Sequence, residues 1–494
     1  MNNTEDLKRV QEKRLRILEG DASRVAKQRA RNKLTARERI DRLLDPNSFV
    51  ETDVLVSRQD DYAGVVTGYG TVNSRPVYVF AQDFTVHGGA MGVQQASKIL
   101  KILDLAQKTG APVLCLCDSA GVRLDEGAEA MSAYAKIYTA MAKLSGVCPM
   151  IALILGPAVG GAALISQLCD FSIMAENCGE LMVYGPQVMS AISGKPVDEK
   201  NGGGAAVMAA QGGVSLTAAD DAAALALARQ LLAYLPGCNL EDADVIDSDD
   251  LNREIGDTDP SDAAALMAEI ADEGSYIELQ SGYGKALRTA LARIGGNAVG
   301  LVVSDAAEEE GMLTAEAAAK AARFVRFCDA YSLPVVSLVN SKGVAVPSVG
   351  RQTWLMKSVA QLLFAYAEAT TAKISVVTGN AIGQSYVALA GKANADIAYA
   401  WPGAVISALT PEAAVPVLYQ EELKADTASP LETRQKLENA FARDVADGIA
   451  AAQAGMVDDV IDPAQTRKYI IAALEMLLSK RDSNPPKKHG NLPL

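Results

Sequence analysis

The sequence predicts an α/β protein made of two related halves. Three observations carry that expectation: a segment recurs at fixed spacing, apolar runs of strand length alternate with helix-period segments, and the apolar residues are overwhelmingly aliphatic. Residues AVILMFWYC form 49% of the 494 positions, whereas Phe, Trp and Tyr form only 5%. A chain of this length exceeds one ordinary core and divides into domains.

The repeat is visible when KILKILDLAQKTGAPVLCLCDSAG, Lys98 to Gly121, is laid on KAARFVRFCDAYSLPVVSLVNSKG, Lys320 to Gly343, an ungapped offset of 222. Each copy gives a helix-period segment, a loop ending in Pro112 or Pro334, an apolar run and a Gly-containing turn. Upstream, Ser48-Phe49-Val50-Glu51 answers Ser275-Tyr276-Ile277-Glu278; downstream, Met150–Ile165 answers Ala372–Val387, and VMSAI at Val188 answers VISAL at Val405.

Taken in order, the first element is the basic stretch Leu7–Arg42, with 13 basic and 5 acidic residues, a local excess of +8. Its spacing predicts a solvated amphipathic helix, the sharper alternative being an electropositive rim for a phosphorylated ligand. Strand-like runs follow in each half: PVLCLCD, MIALIL and FSIMA, then PVVSLV, KISVV and ADIAYA. Helical segments between them imply parallel pairing with both sheet faces covered. The acidic stretch Glu241–Asp262 reads as the junction, which predicts domains 1–250 and 251–494.

Several function classes are disfavoured. A net charge of -14 argues against nucleic acid or an anionic membrane as the main partner. The seven cysteines form no CxxC pair and predict reduced thiols in a cytoplasmic protein, with no zinc site. Only His87 and His489 are present, which disfavours a His-rich metal centre or a Ser/His/Asp relay; His87 reads as a loop residue rather than a ligand contact. No signal-like N-terminus or apolar run of bilayer length is present. Met356-Lys357 lacks the context of a biotin attachment site, and Glu308–Glu310 reads as a solvated charge run.

The stretch ILGPAVGGAAL, Ile154–Leu164, gives up side-chain packing at Gly156, Gly160 and Gly161. At a strand-to-helix turn, glycines let a ligand oxygen approach unpaired N–H groups at the positive end of the helix. A second small-residue turn, Asp118-Ser119-Ala120-Gly121, leaves the neighbouring strand. Two such turns can present converging main-chain donors, an oxyanion hole suited to a thioester enolate.

The segments KLTARERIDRLLDPNSFVE (Lys33–Glu51), QDFTVHGGAMG (Gln82–Gly92), DSAGVRLDEG (Asp118–Gly127), GPAVGGA (Gly156–Ala162), AARFVRFCDA (Ala321–Ala330), AYAWPGAVISAL (Ala398–Leu409) and the tail PPKKHGNLPL are similar to those of the biotin-dependent acyl-CoA carboxyltransferases. That family comprises acyl-CoA carboxylase β subunits and their relatives in sodium-pumping decarboxylases. The resemblance runs from about residue 30 to the last residue. It implies two tandem crotonase-like (ClpP/crotonase) domains, the first on the acyl-CoA side and the second on the biotin side. It also implies a carboxyl group moved between biotin on a separate carrier protein and a short acyl-CoA of the propionyl or methylmalonyl kind.

Carried over by residue, the resemblance places the acyl-CoA hole on Gly160, Gly161 and Ala120, with Gly88, Gly89, Gly121 and Arg123 binding substrate. On the biotin side it places Gln384 and Ser385 as donors, with Gly343, Gly383 and Tyr386 around them. The chain departs from the family there: Gly383-Gln384-Ser385-Tyr386 stands for the usual Gly-Gly-Ala-Tyr, Asn340-Ser341-Lys342-Gly343 for Asp-Val-Pro-Gly, and Val387 for a specificity-linked Asp. Implied partners are a biotin carboxyl carrier protein, a biotin carboxylase or membrane decarboxylase subunits, and further copies of the chain, in a hexamer. Three readings stay open beside carboxylation: the carboxyl-removing direction, a biotin-independent hydratase or isomerase using Asp125 and Glu126, and a non-catalytic scaffold.

Overall fold

The computed structural model describes all residues except 1–2, 59–60, 197–201, 247–248, 348–349, 426–428 and 494. The chain divides into two compact units, Met1–Asp242 and Ala243–Leu494. The division falls eight residues before the expected 250/251 boundary, and hydrogen bonds explain the shift. The Asp244 carbonyl accepts from Arg293, and the Ile246 amide donates to Gly296, both deep in the second sequence half.

In the first unit the strands are β1 (Val50–Thr52), β2 (Val65–Val72), β3 (Arg75–Gln82), β4 (Val113–Ser119), β5 (Met150–Val159), β6 (Phe171–Ala175), β7 (Glu180–Met182) and β8 (Leu216–Ala218). They form one eight-stranded sheet in the order β1-β2-β3-β4-β5-β6-β8, with β7 paired to the far end of β5. β1–β2 and β2–β3 are antiparallel; from β3 onward every pair is parallel.

The second unit repeats this plan with β9 (Tyr276–Leu279), β10 (Leu287–Ile294), β11 (Asn297–Ser304), β12 (Val335–Ser341), β13 (Lys373–Ile382), β14 (Ile397–Ala400), β15 (Val405–Ser407) and β16 (Asp459–Val460). The order is β9-β10-β11-β12-β13-β14-β16, with β15 on the far end of β13. The expected α/β repeat is therefore present strand for strand, with one correction: VISAL forms β15 and answers β7, whereas VMSAI, its expected match, lies in the helix Pro186–Ser193.

The reason lies in the apolar runs. Every residue of β4 and of β12 is buried, as a parallel strand covered on both faces requires. The covering helices include Val93–Thr109 in the first unit and Ala315–Ala330 in the second, each placing its apolar face on its own sheet. The basic N-terminal stretch is broken into three helices, Asn3–Glu19, Ala22–Arg29 and Ala36–Leu43. Asp21 caps the second, and Thr35 with Glu38 forms a capping box on the third, so the local sequence restarts the helix twice. Only the third carries a buried apolar face; the first is exposed along nearly all its described length.

Candidate active site: paired turns at two strand ends

At the end of β5, Gly160 takes φ +62° and donates its amide to the Met182 carbonyl (2.9 Å). The helix Gly161–Leu168 begins at once, and the amides of Gly161 and Ala162 have no partner among the described residues. At the end of β13, Gly383 takes φ +54° and donates to the Ser407 carbonyl (2.8 Å); the amides of Gln384 and Ser385 are open in the same way. The two glycines differ by 223 positions, so the offset of 222 drawn from sequence slips by one beyond β4 and β12. GPAVGG answers GNAIGQ.

This register corrects two of the expected donors. Gly160 is the bend that aims the helix, and its own N–H is spent on Met182. The Ala120 amide is also spent, donating to the Gly88 carbonyl (2.9 Å). Ala162, which sequence reasoning did not single out, stands beside Gly161 as an open donor; its signal was the match of Ala162 to Ser385 once the offset is set to 223. Gly161 is required for a reason other than ligand access: a Cβ there would lie 2.5 Å from the buried Tyr134 ring.

The neighbouring turns are duplicated bond for bond. Gly121 (φ +116°) receives Ser119 Oγ on its N–H at 3.2 Å, and Gly343 (φ +114°) receives Ser341 Oγ at 3.4 Å. The carbonyls of Gly121 and Gly343 accept from Met91 and Leu313, each at 2.8 Å. Gly89 and Gly311 pack so tightly against the carbonyls of Asp118 and Asn340 that neither could carry a Cβ. Gly88 (φ +63°) has room for one only against the Ala120 methyl. His87 is an exposed turn residue, as expected for a loop.

A register break in each sheet falls at Asp118 and at Asn340. Such bulges re-aim the side chain out of the strand alternation. Asp118 meets a fully buried cluster: Lys33 Nζ at 2.8 Å, Arg39 Nη1 at 2.8 Å, and through Arg39 Nε (2.8 Å) the Asp221 carboxylate. Arg39 also donates to the Leu155 carbonyl, one residue before Gly156, where any Cβ would strike Asp118 and Lys33. That cluster ties the N-terminal segment to both turns of the first unit. Sequence reading missed it, because its members, from Lys33 to Asp221, lie up to 188 positions apart in the chain. In the second unit Asn340 does the work without charge, accepting from the Asn380 amide (2.9 Å) and donating to the Pro260 carbonyl (3.0 Å).

Arg123 is paired with Asp125 (2.9 Å) and lies 3.6 Å from Glu126, whose other oxygen accepts the Val93 amide at 2.7 Å. The hydrogen bond from Arg123 holds the Asp125 carboxyl below the usual carboxylate range. Asp125 and Glu126 thus serve as anchors of Arg123, which makes them poor acid–base groups for a hydratase. Gln384 projects to solvent, clear of the packed interior, while Ser385 is buried with its hydroxyl on the carbonyls of Ile382 (2.8 Å) and Ser341 (3.3 Å). The Tyr386 hydroxyl donates to the Met456 carbonyl (2.8 Å), a structural bond.

The described geometry offers two pairs of unpaired amides, one per unit, each at the start of a helix and beside a rigid turn. Such donors stabilise a developing oxyanion without any side chain, and the chemistry of either pair suits a carbonyl oxygen, that of a thioester or of a cyclic urea such as biotin. Comparison with known proteins agrees in kind. The model of the carboxyl transferase domain matches residues 27–492. The methylmalonyl-CoA carboxyltransferase 12S subunit of Propionibacterium freudenreichii subsp. shermanii is 41% identical over 96% of this chain and 94% of its own. The methylmalonyl-CoA decarboxylase subunit alpha of Veillonella parvula is 38% identical over 96% of both chains. Among solved structures, a transcarboxylase 12S hexamer with methylmalonyl-coenzyme A and methylmalonic acid bound superposes with a TM-score of 0.93 at 38% identity, covering 100% of both chains.

Proposed function

Because the chain belongs to the carboxyl transferase domain family, we propose that its first unit holds a short acyl-CoA of the propionyl or methylmalonyl kind and its second unit the biotin ring of a separate carrier protein. The observation that carries this reading is the pair of open amides in each unit, Gly161 with Ala162 and Gln384 with Ser385.

Biotin supplies the carboxyl group and, once relieved of it, a ureido nitrogen that accepts the α-proton of the thioester. The protein's task is electrostatic. The amides of Gly161 and Ala162, at the positive end of the helix Gly161–Leu168, hold the thioester oxygen as it becomes an enolate. The amides of Gln384 and Ser385 hold the ureido oxygen. Gly88, Gly89 and Gly121 shape the acyl-CoA turn, and Arg123, held in place by Asp125 and Glu126, is the charge offered to the phosphorylated coenzyme. Gly343 and Gly383 give the second turn its bend, and Tyr386 steadies it through Met456.

The same site runs in either direction, and relatives of both kinds bracket this chain. Partner subunits set the direction: a biotin carboxylase for synthesis, membrane decarboxylase subunits for removal. Among the described residues no helix is long and apolar enough to cross a membrane, and the seven free thiols suit the cytoplasm. By analogy with the 12S hexamer the working form is six copies.

The test uses methylmalonyl-CoA labelled in its free carboxyl, the full-length chain and a biotinylated carrier domain. Label should move to the carrier and onward to unlabelled propionyl-CoA. Absence of label on the carrier, with the chain folded, removes the reading.

A further inference from the structure

Beside the change of Asp118 to Asn340, the two turns differ at a pair of positions that face each other. Where the first unit has Gly88 and Ala120, the second has Glu310 and Lys342. The main-chain bond is kept, the Lys342 amide donating to the Glu310 carbonyl at 3.2 Å. Across it the side chains add an ion pair, Lys342 Nζ to Glu310 Oε2 at 2.5 Å, with both partners about half exposed. Glu309 and Glu310 both hold positive φ, +48° and +55°. Non-glycine residues pay for that backbone, and strain of this kind gathers where a side chain is put to use. An exposed pair contributes little to stability, so stability does not account for a strained glutamate here.

The turn is also fastened to the open amides. Ser385 Oγ donates to the Ser341 carbonyl, one residue before Lys342, and a Cβ on Gly343 would lie 3.5 Å from the Ile382 carbonyl oxygen, one residue before Gly383. A cavity of about 320 Å³ opens beside this turn, lined among others by Glu309, Ala345, Pro347, Arg351 and Trp354. The lysine stands on the rim of the second cradle with a carboxylate that it can exchange.

We propose that Lys342 is a specificity-determining residue of the second site, which leaves Glu310 to pair with the carboxylate carried on the ureido nitrogen of biotin, while Glu310 holds the ammonium in place between turnovers. This rests on the carboxyl-transfer reading above. The amides of Gln384 and Ser385 then take the neutral ureido oxygen, and Lys342 distinguishes the carboxylated ring from the bare one.

Two measurements on the full-length chain test it. In calorimetric titrations, biotin amide is compared with a stable mimic, biotin amide bearing a carboxymethyl group on the ureido nitrogen. Lys342→Gln should weaken binding of the mimic about tenfold and leave biotin amide unchanged; Lys342→Arg should restore most of the loss, and Glu310→Gln should tighten the mimic. In label transfer from methylmalonyl-CoA to biotin amide, Lys342→Gln should lower kcat/KM for biotin amide about tenfold while KM for methylmalonyl-CoA stays within twofold. Equal weakening of both ligands, no weakening of the mimic, or faster transfer by Lys342→Gln overturns the assignment. If the wild-type chain transfers no label to either biotin amide or the carrier, the carboxyl-transfer reading itself falls, and the assignment with it.

Discussion

At the scale of single residues, the buried charges behind the first turn and the neutral amide behind the second make a crossed experiment. Asp118→Asn leaves Lys33 and Arg39 facing Asp221 alone. Removing one member of a buried ion cluster costs about 3–5 kcal/mol, so the variant should unfold at clearly lower urea. Asn340→Asp sets a carboxylate against the Pro260 carbonyl where an amide now donates, and should destabilise by about 1–3 kcal/mol, the cost of a buried group left unsatisfied. If both variants matched the wild type in urea unfolding, the clusters would not hold the turns. Gly161→Val is a poor probe of the cradle, because its side chain would be driven into Tyr134; it should be lost to misfolding, visible as a missing cooperative transition. Gly160 offers a cleaner one. Its Cβ would meet nothing nearer than the Val183 carbonyl at 3.7 Å, so Gly160→Ala should fold, at about 1–3 kcal/mol of strain for a backbone at φ +62° and ψ -121° that is essentially reserved for glycine, while lowering label transfer.

At the scale of elements, equivalent helices of the two units bury equivalent lysines. Lys98 Nζ donates to the Val65 carbonyl (2.8 Å), and Lys320 Nζ to the Tyr283 carbonyl (2.6 Å). Burial lowers both to about 8, against the opposing pull of Glu51 and Glu278. In the unfolded chain a lysine keeps its proton to about 10.4. Between pH 8 and about 10 these two amines bind more protons in the unfolded state, and their contribution to stability rises with pH, against the thiols of Cys115, Cys117, Cys148, Cys178 and Cys328, which burial pushes up and which act in the opposite sense. Below pH 8 the burial penalty is present in full. In thermal unfolding followed from pH 7.5 to 9.5, the Tm of Lys98→Met with Lys320→Met minus that of the wild type should shrink steadily as the pH rises; a difference that stays constant over this range contradicts the burial of these amines. At the start of the second-unit helix, Gln384→Gly should keep label transfer near the wild-type rate, since the Gln384 side chain is in solvent and the N–H is retained.

At the scale of the whole molecule, the first unit leaves an apolar surface beside its cradle. The helix Pro186–Ser193 has no buried residue, and Val183, Tyr184, Val188 and Ile192 are all exposed. Apolar area of this kind, adjoining a site, is characteristic of a contact surface. On the proposal that this chain assembles as the 12S relative does, sedimentation should give six times 51.8 kDa, and Ile192→Asp should shift the mass downward. A mass unchanged by Ile192→Asp places the contacts elsewhere.

The sequence alone determined the class and the duplication. The periods of apolar residues encode strands and helices locally, and the glycines of ILGPAVGGAAL and of the turn after Asp118 mark backbone that must bend or stay bare. It did not determine which amides remain free. That depends on whether a neighbouring strand, β7 or β15, arrives to consume an N–H, and only the folded sheet brings Met182 to Gly160 and Ser407 to Gly383. The one-residue slip of the repeat was hidden for the same reason: similar apolar residues score alike in either register, whereas a hydrogen-bonded ladder admits one. Tertiary structure also assembled Lys33, Arg39, Asp118 and Asp221 from distant positions, because opposite charges withdrawn from water must find one another wherever the chain places them.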